Sequence, residues 1–514
     1  SRSHAKHLLE ISQLLSSKGH SISYLCSEDT KKFSKGYNVS NVIVSNVKQD
    51  LTSTEKLPFT KKNYSSSKNS IHVYKKVAEI YTKSFPNYEA FYKTQTPDLI
   101  ICDWLSLSCI DSAAKFSIPM IIGYQSLMFA DPVSYITNSK GLEPSTVEEY
   151  SFWERFAHGI LHPIKKLFIF YDAFNEIKKA RVKNGVPATL EIVQFKNMGL
   201  SIANSYIGFE SPRSLPSHFQ LIGPVLPDVI PTLESDLQLF IDSHKKILYI
   251  AFGSLIKFKS EFSVNMLEHF QKLLNDNWVD GIVWGGMTNT NLEEFPKSYI
   301  VDHIEYSTES ILNGNHPQFK LLKWAPQEAI LNHRHIILFM THGGLDSVHE
   351  AIQSGTPMIV VPHVSDQPRN AILVKEHGVG DYIEWPSDGD ILINQKLVNL
   401  LNPSNIILNA KMSQFQRISK LSSKRKSFAV DLIEAYAYSA KTCRIHQISK
   451  SFEIPCEIKP FLPLDHQISF IKANLIDVYS VSILIFIATL GLILFTIYSL
   501  IRKYIKVYYK QKKE

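Results

Sequence analysis

The 514 residues are 44% hydrophobic and 20% charged, which excludes a disordered chain and exceeds what one hydrophobic core organises. The net charge of +7 is local: after Ile501 the tail RKYIKVYYKQKKE holds six Lys/Arg against one Glu, so the rest is nearly neutral and the basic balance does not imply a nucleic-acid partner. The five cysteines (Cys26, Cys102, Cys109, Cys443 and Cys456) include no C-x-x-C pair, which removes zinc and thioredoxin-type readings; Cys443 and Cys456 stand as either a disulfide or two free buried thiols.

Leu8, Leu9, Ile11, Leu14 and Leu15 recur at helical spacing over residues 4–17, Gly19 and His20 end that helix, and residues 22–26 read as a strand. A strand is expected before the helix, and neither Met nor a leader opens the chain, so residues are expected to precede Ser1. A buried strand over 98–103, a helix over 112–116 and a strand over 118–123 alternate as in a parallel, doubly wound sheet. From about 130 to 195 the alternation lapses. There FWERF and LFIFYDAF read as aromatic helices, either covering an acceptor pocket or packing as an insertion. Pro224, Pro227 and Pro231 mark a linker, after which strands are expected at 247–252, 281–284, 319–323, 336–340 and 358–361. A helix over 428–439 is expected to end the second domain.

Residues 478–500 carry no charge and suffice to span a bilayer core of about 30 Å. Asp477 precedes them and Arg502 and Lys503 follow, so the bulk of the chain is expected on the lumenal or extracellular side, as a single-pass type I protein. Lys510 and Lys512 show the K-x-K-x-x spacing that resembles an endoplasmic-reticulum retrieval signal; a basic stop-transfer flank has the same look. Asn38 and Asn63 head glycosylation sequons. The division expected is 1–224, a linker at 225–246, 247–443, a pre-membrane segment at 444–477, the span at 478–500 and a cytosolic tail at 501–514.

The chemistry concentrates between Trp324 and Gln367. A strand ends at Thr341-His342-Gly343-Gly344, and a helix follows. Glycines let a ligand approach the backbone, and the helix start offers free amides and positive dipole, which together make a phosphate site. His342 and Ser347 add donors, Glu350 lies one turn on where a carboxylate accepts from ribose hydroxyls, and Trp324 offers a face for a base. Asp366 and Gln367 suit hydrogen bonding to sugar hydroxyls.

This window resembles the signature of the UDP-glycosyltransferase family, the GT-B-fold enzymes that include glucuronosyltransferases and plant secondary-product glucosyltransferases. Trp324, Pro326-Gln327, His342-Gly343-Gly344, Glu350, Gly355-x-Pro357 and Asp366-Gln367 all fall at the family's intervals, and Gly223-Pro224 and Phe252-Gly253-Ser254 fit as well. The resemblance implies an α/β fold of two Rossmann-like domains facing a cleft. It implies that Trp324 stacks on uracil, Gln327 and Glu350 hold the ribose, His342 and Ser347 contact the diphosphate, with Ser254 and Gly344 in the same UDP site, and Asp366 and Gln367 meet the donor sugar. His4 falls at the place of the family's catalytic base and Asp103 at that of its orienting partner. Such a pair takes the acceptor proton during an inverting hexosyl transfer. A UDP-glucose or UDP-glucuronate donor, a small lipophilic acceptor and a membrane follow as partners, with homo-oligomerisation left open. No metal or other cofactor is expected: Asp388-Gly-Asp390 has the D-x-D spelling but sits in a PSDGD turn.

One residue departs from the pattern. Asp346 stands where the family usually has Asn, and a carboxylate beside a diphosphate is repelled by about a kcal/mol or more. Rival readings are a sterol or lipid glycosyltransferase and a non-catalytic UDP-sugar-binding membrane subunit. Asp346 favours the latter and the His4/Asp103 pair opposes it. A GT-B epimerase is disfavoured by the span.

Overall fold

The computed structural model describes residues 2–45, 57–58, 67–127, 133–137, 142–253, 256–257, 259–446 and 450–511. The first half runs α1 (Arg2–Ser17), β1 (Ser23–Ser27), β2 (Ser40–Ser45), β3 (Leu57–Pro58), α2 (Ser67–Thr94), β4 (Ile100–Asp103), α3 (Leu107–Phe116), β5 (Met120–Tyr124), α4 (Phe152–Phe156), α5 (His162–Lys183), β6 (Leu200–Ala203) and β7 (Phe219–Leu221). The expected helix and first three strands are present. β4-β5-β6-β7 form one parallel sheet, and β5 and β6 are buried along their whole length, as their unbroken apolar runs require. β1 pairs in parallel with β2 alone. Among the described residues the other edge of β1 and the outer edge of β4 are unpaired, and both strands line one cavity with Leu8 and Leu15 of α1.

α2 and α5 pack together, and Arg181 of α5 donates from Nε to Asp111 Oδ2 of α3 at 2.7 Å with both side chains buried. Cys102 and Cys109 form a disulfide from β4 to α3, a pairing that reading the sequence did not foresee, and Cys443 pairs with Cys456. The aromatic stretch from 152 to 174 does form helices, joined by a π-helical turn at Ala157–Leu161. Contrary to one of the two expectations, none of it lines the cleft.

The second half runs α6 (Ser235–Asp242), β8 (Ile247–Ala251), β9 (Ile256–Lys257), α7 (Ser260–Asn275), β10 (Gly281–Gly285), α8 (Asn289–Glu293), β11 (Ser298–Val301), β12 (Ile304–Ser307), α9 (Glu309–Leu312), β13 (Phe319–Leu322), α10 (Gln327–Leu331), β14 (Ile336–Thr341), α11 (Leu345–Ser354), β15 (Met358–Val360), α12 (Gln367–Glu376), β16 (Gly380–Tyr382), α13 (Asp390–Leu401) and α14 (Ile406–Ser422). Its parallel sheet has the order β13-β10-β8-β14-β15-β16. Chain progression reverses between β8 and β14, and ligands bind at the carboxyl ends of strands at such a switch. The loops after those two strands are the ones that begin at Phe252-Gly253 and His342-Gly343.

The linker is not bare: α6 buries Leu237 and Ile241 in the second core. The last helix also differs from expectation. α15 (Arg425–His446) does not end the second half but returns to the first, where Ala429, Val430, Ile433 and Tyr436 share a cluster with Ile11, Leu15, Ile222 and Val225. The apolar positions of α15 match a surface that only the folded first half presents. Ile458 and Leu462 extend the same cluster before α16 (Leu464–Gln467), α17 (Phe470–Ala473) and α18 (Ile476–Gln511). Within α18, Ile476–Lys506 is long and apolar enough to cross a membrane and is not buried against the rest of the chain.

Candidate functional site

A cavity of about 1670 Å³ opens between the halves. Strand β14 ends at Thr341 and delivers His342 to the cavity lining, and glycines shape the turns that follow β14 and β8. Gly343 has φ +82, and a β-carbon there would lie 2.5 Å from Val360 Cγ1. A β-carbon at Gly253 or Gly344 would lie 2.8 or 2.6 Å from His342 Nε2. The imidazole is therefore seated on two bare backbones. Gly344 is the N-cap of α11, whose first amides have no partner within the helix and point toward the cavity end of the dipole. Burial, then the neighbouring His363, pulls the His342 imidazole down to about 4, so at neutral pH it is an uncharged donor.

Along α11, Ser347 and Glu350 face Gln327 at the start of α10. Gln327 Nε2 donates to Ser347 Oγ at 3.0 Å and to Glu350 Oε2 at 2.6 Å, and its Oε1 accepts from Tyr249 Oη at 3.3 Å. Lys6 of α1 reaches across the cleft, donating to Glu350 Oε1 at 2.9 Å and pairing with Glu328. Burial, reinforced by the charge of Glu350, pushes the Glu328 carboxyl up to about 7 despite Lys6. Trp324 stands at the rim, 64% exposed.

On the facing wall, His4 Nδ1 lies 2.9 Å from Asp103 Oδ2. Asp103 is fixed from three sides: Oδ2 also accepts from Gln125 Nε2 at 3.0 Å, and Oδ1 accepts from the Leu105 amide at 3.0 Å. Burial opposes its charge, but His4, Gln125 and the amide outweigh burial and hold the carboxyl below its usual value. An ionised Asp103 places the imidazole proton on Nδ1 and leaves Nε2 as a base.

Asp366, at the N-cap of α12, accepts from Asn370 Nδ2 at 2.9 Å, and burial pushes its carboxyl up. Gln367 is the first residue of α12, and its Oε1 accepts from the amides of His363 and Val364 at 2.8 and 2.9 Å. Asp346 accepts from the Asn204 side-chain amide Nδ2 at 3.3 Å, and burial pushes it up to about 6. The cavity thus brings together His4, Asp103, Trp324, Gln327, His342, Gly344, Ser347, Glu350, Asp366 and Gln367; Ser254 lies outside the described residues. Asp388 and Asp390 take other duties: Asp388 pairs with Lys396 at 2.6 Å, and Asp390 accepts from Asn265 at 2.9 Å.

Residues 1–388 match the family described as UDP-glucoronosyl and UDP-glucosyl transferase. The chain belongs to this family. A UDP-glycosyltransferase of Talaromyces amestolkiae is 26% identical over 506 residues, covering 95% of this chain and 93% of the relative. UDP-glycosyltransferase stmC of Aspergillus ustus is 26% identical over 498 residues, covering 93% and 92%. Among solved structures, the glycotransferase of kitacinnamycin superposes with a TM-score of 0.58 at 20% identity over 84% of this chain and 96% of that one. The fold is GT-B, and the chain is a glycosyltransferase that draws on a UDP-sugar.

Two residues of this transferase's cleft escaped sequence reasoning. Lys6 looks like a solvated helix lysine two places beyond His4, and only apposition of the halves carries it to α11. Glu328 adjoins Gln327 but gains meaning only from Lys6 and Glu350 around it.

Proposed function

We propose that this transferase moves a hexosyl group from UDP-glucose or UDP-glucuronate to a hydroxyl of a small lipophilic acceptor, with inversion. The observation that carries the reading is the His4–Asp103 pair at 2.9 Å, set in the same cavity as the amide-rich start of α11. Trp324 stacks on the uracil, Gln327 and Glu350 take the ribose, and Asp366 and Gln367 meet the sugar. His4 Nε2 accepts the acceptor's hydroxyl proton as the oxygen bonds to the anomeric carbon. The bond from that carbon to the β-phosphate oxygen breaks, and UDP leaves with the electron pair. Amides at the start of α11, the Ser347 hydroxyl and the His342 N–H receive that charge in a fixed site, without a metal ion. Asp103 stabilises the imidazolium until its proton passes to solvent.

The acceptor side of the cavity is lined by Leu8, Leu25, Ile80, Tyr88 and Phe91, which favours an apolar acceptor. In this reading α18 spans the endoplasmic-reticulum membrane and both halves are lumenal. A sterol or other lipid acceptor is the second reading, favoured by the exposed apolar length of α18.

The test is UDP release in microsomes from several UDP-sugars with lipophilic alcohols and phenols, beside His4→Ala. The expected result is acceptor-dependent release that falls by about 10²–10⁴ in the variant while UDP binding is retained. Undiminished turnover in His4→Ala refutes the base. UDP bound without turnover by the unaltered protein supports a non-catalytic subunit.

A further inference from the structure

α4, the π-helical turn and the first part of α5 form a continuous rod, and every residue from 159 to 168 is exposed, as are all those from 152 to 156. Phe152, Trp153, Phe156, Ile164, Phe168 and Tyr171 are large apolar side chains open to solvent, Trp153 at 73% and Phe168 at 77%. At about 100° per residue, Phe152, Trp153 and Phe156 share one side of α4, and Ile164, Phe168 and Tyr171 share one side of α5. Arg155 lies on the opposite side of α4, and His162, Lys165 and Lys166 on the opposite side of α5. Glu154 is the one acidic residue from 152 to 171, and the capping box with Ser151 already engages it. A contiguous aromatic face of this kind is uncommon on a soluble monomer.

The fold supplies a reason to assign the occupant. Ile177 and Ala180 in the last turns of α5 share a cluster with Phe452, which stacks on Phe195 with ring centroids 5.4 Å apart. The rod is therefore rooted on the flank along which the chain descends to α18. On that descent α17 exposes Phe470 and Ile471 as well.

We propose that the rod is a second membrane contact: it lies in the phospholipid headgroup layer of the leaflet that faces both halves, aromatic side toward the acyl chains. Lys165 and Lys166 extend their stems and place their charges on lipid phosphates, while Arg155 Nη1 donates to the Tyr150 carbonyl. Aromatic residues on one side and cations on the other match an interface with an oily and a phosphate-bearing layer; a purely apolar protein groove leaves the cations unused. The assignment rests on α18 being a membrane span.

The test uses the full chain in phosphatidylcholine/phosphatidylserine vesicles, with or without lipids brominated near the headgroup, and compares the unaltered protein with Trp153→Phe. The expected result is tryptophan quenching by bromolipid of which a resolvable share vanishes in Trp153→Phe. A paired Phe156→Glu/Phe168→Glu variant, which retains Trp153, loses at least half of that share while still sedimenting with the vesicles after an alkaline wash. Quenching identical in the unaltered protein and Trp153→Phe, with the chain retained in vesicles, overturns the proposal and leaves the span intact. Release by the alkaline wash with Trp153 unquenched overturns both. Cross-linking between Phe156→Cys chains, with Trp153 shielded from bromine, overturns it in favour of a second copy on this face.

Discussion

Asp346→Asn removes one charge from the start of α11, beside the proposed diphosphate cradle. Burial pushes this carboxyl up to about 6; Lys6 and His4 pull it down, and Glu350 and Asp366 push it further up. An arriving diphosphate is anionic, so it binds better to the neutral acid than to the carboxylate. Below pH 6 the acid is largely neutral and donor affinity is flat. Above pH 6 binding requires proton uptake, at about 1.36 kcal/mol, or tenfold, per pH unit. At pH 8 the loss reaches at most about a hundredfold, about 2.7 kcal/mol, the limit in which the carboxylate form excludes the donor. UDP-glucose is the suitable probe for calorimetry, since its diphosphate is doubly esterified and keeps its charge from pH 5.5 to 8. The dissociation constant of the unaltered protein should rise more steeply through that range than that of Asp346→Asn, in which Glu328, pushed up to about 7, still titrates, the two meeting near pH 5.5. A flat profile for the unaltered protein, or coincidence of the two at pH 8, refutes the reasoning and means that Lys6 already cancels the Asp346 charge in the loaded cleft.

Glu350→Ala should weaken UDP and uridine alike, by about tenfold or more, because the ribose loses a buried acceptor; unchanged affinity refutes the ribose role. Gly343→Ala must hold a left-handed backbone and place a β-carbon 2.5 Å from Val360. It should lower thermal stability by roughly 2–4 kcal/mol and reduce UDP binding. Arg181→Met strands Asp111 in the interior and should lose about 3–5 kcal/mol of stability in denaturant titration, most of it recovered in Arg181→Met/Asp111→Asn. Asp103→Asn should lower turnover without altering UDP affinity, measured side by side with His4→Ala.

The second half was the more legible because its signals are local. The runs that became β8 and β14 are uniformly apolar, and the glycines after β14 are demanded by the turn itself. The residues around the start of α11 could therefore be picked out before the fold placed them in one cavity. β6 and β7 were not foreseen: at four and three residues they are too short to show a period, and pairing with β5 is what makes them strands. The Cys102–Cys109 pair closes only once β4 and α3 are packed. Lys6 and the return of α15 depend on surfaces made by distant parts of the chain, which no window of sequence contains. The rod from 152 to 171 shows the opposite limit: its helicity was legible, but its direction, away from the cleft, was not.

The return of α15 also decides which half the membrane would hold. Two segments cross between the halves, one before α6 and one between α14 and α15, so opening must bend both together. The path to α18 leaves from the first half. Were a bilayer to grip α18, it would hold the half that carries His4, Asp103 and the apolar wall, and the half that carries the proposed UDP site would be the free one. Acceptor delivery would then be tied to the membrane, and exchange of the water-soluble nucleotide would be the motion of the free half.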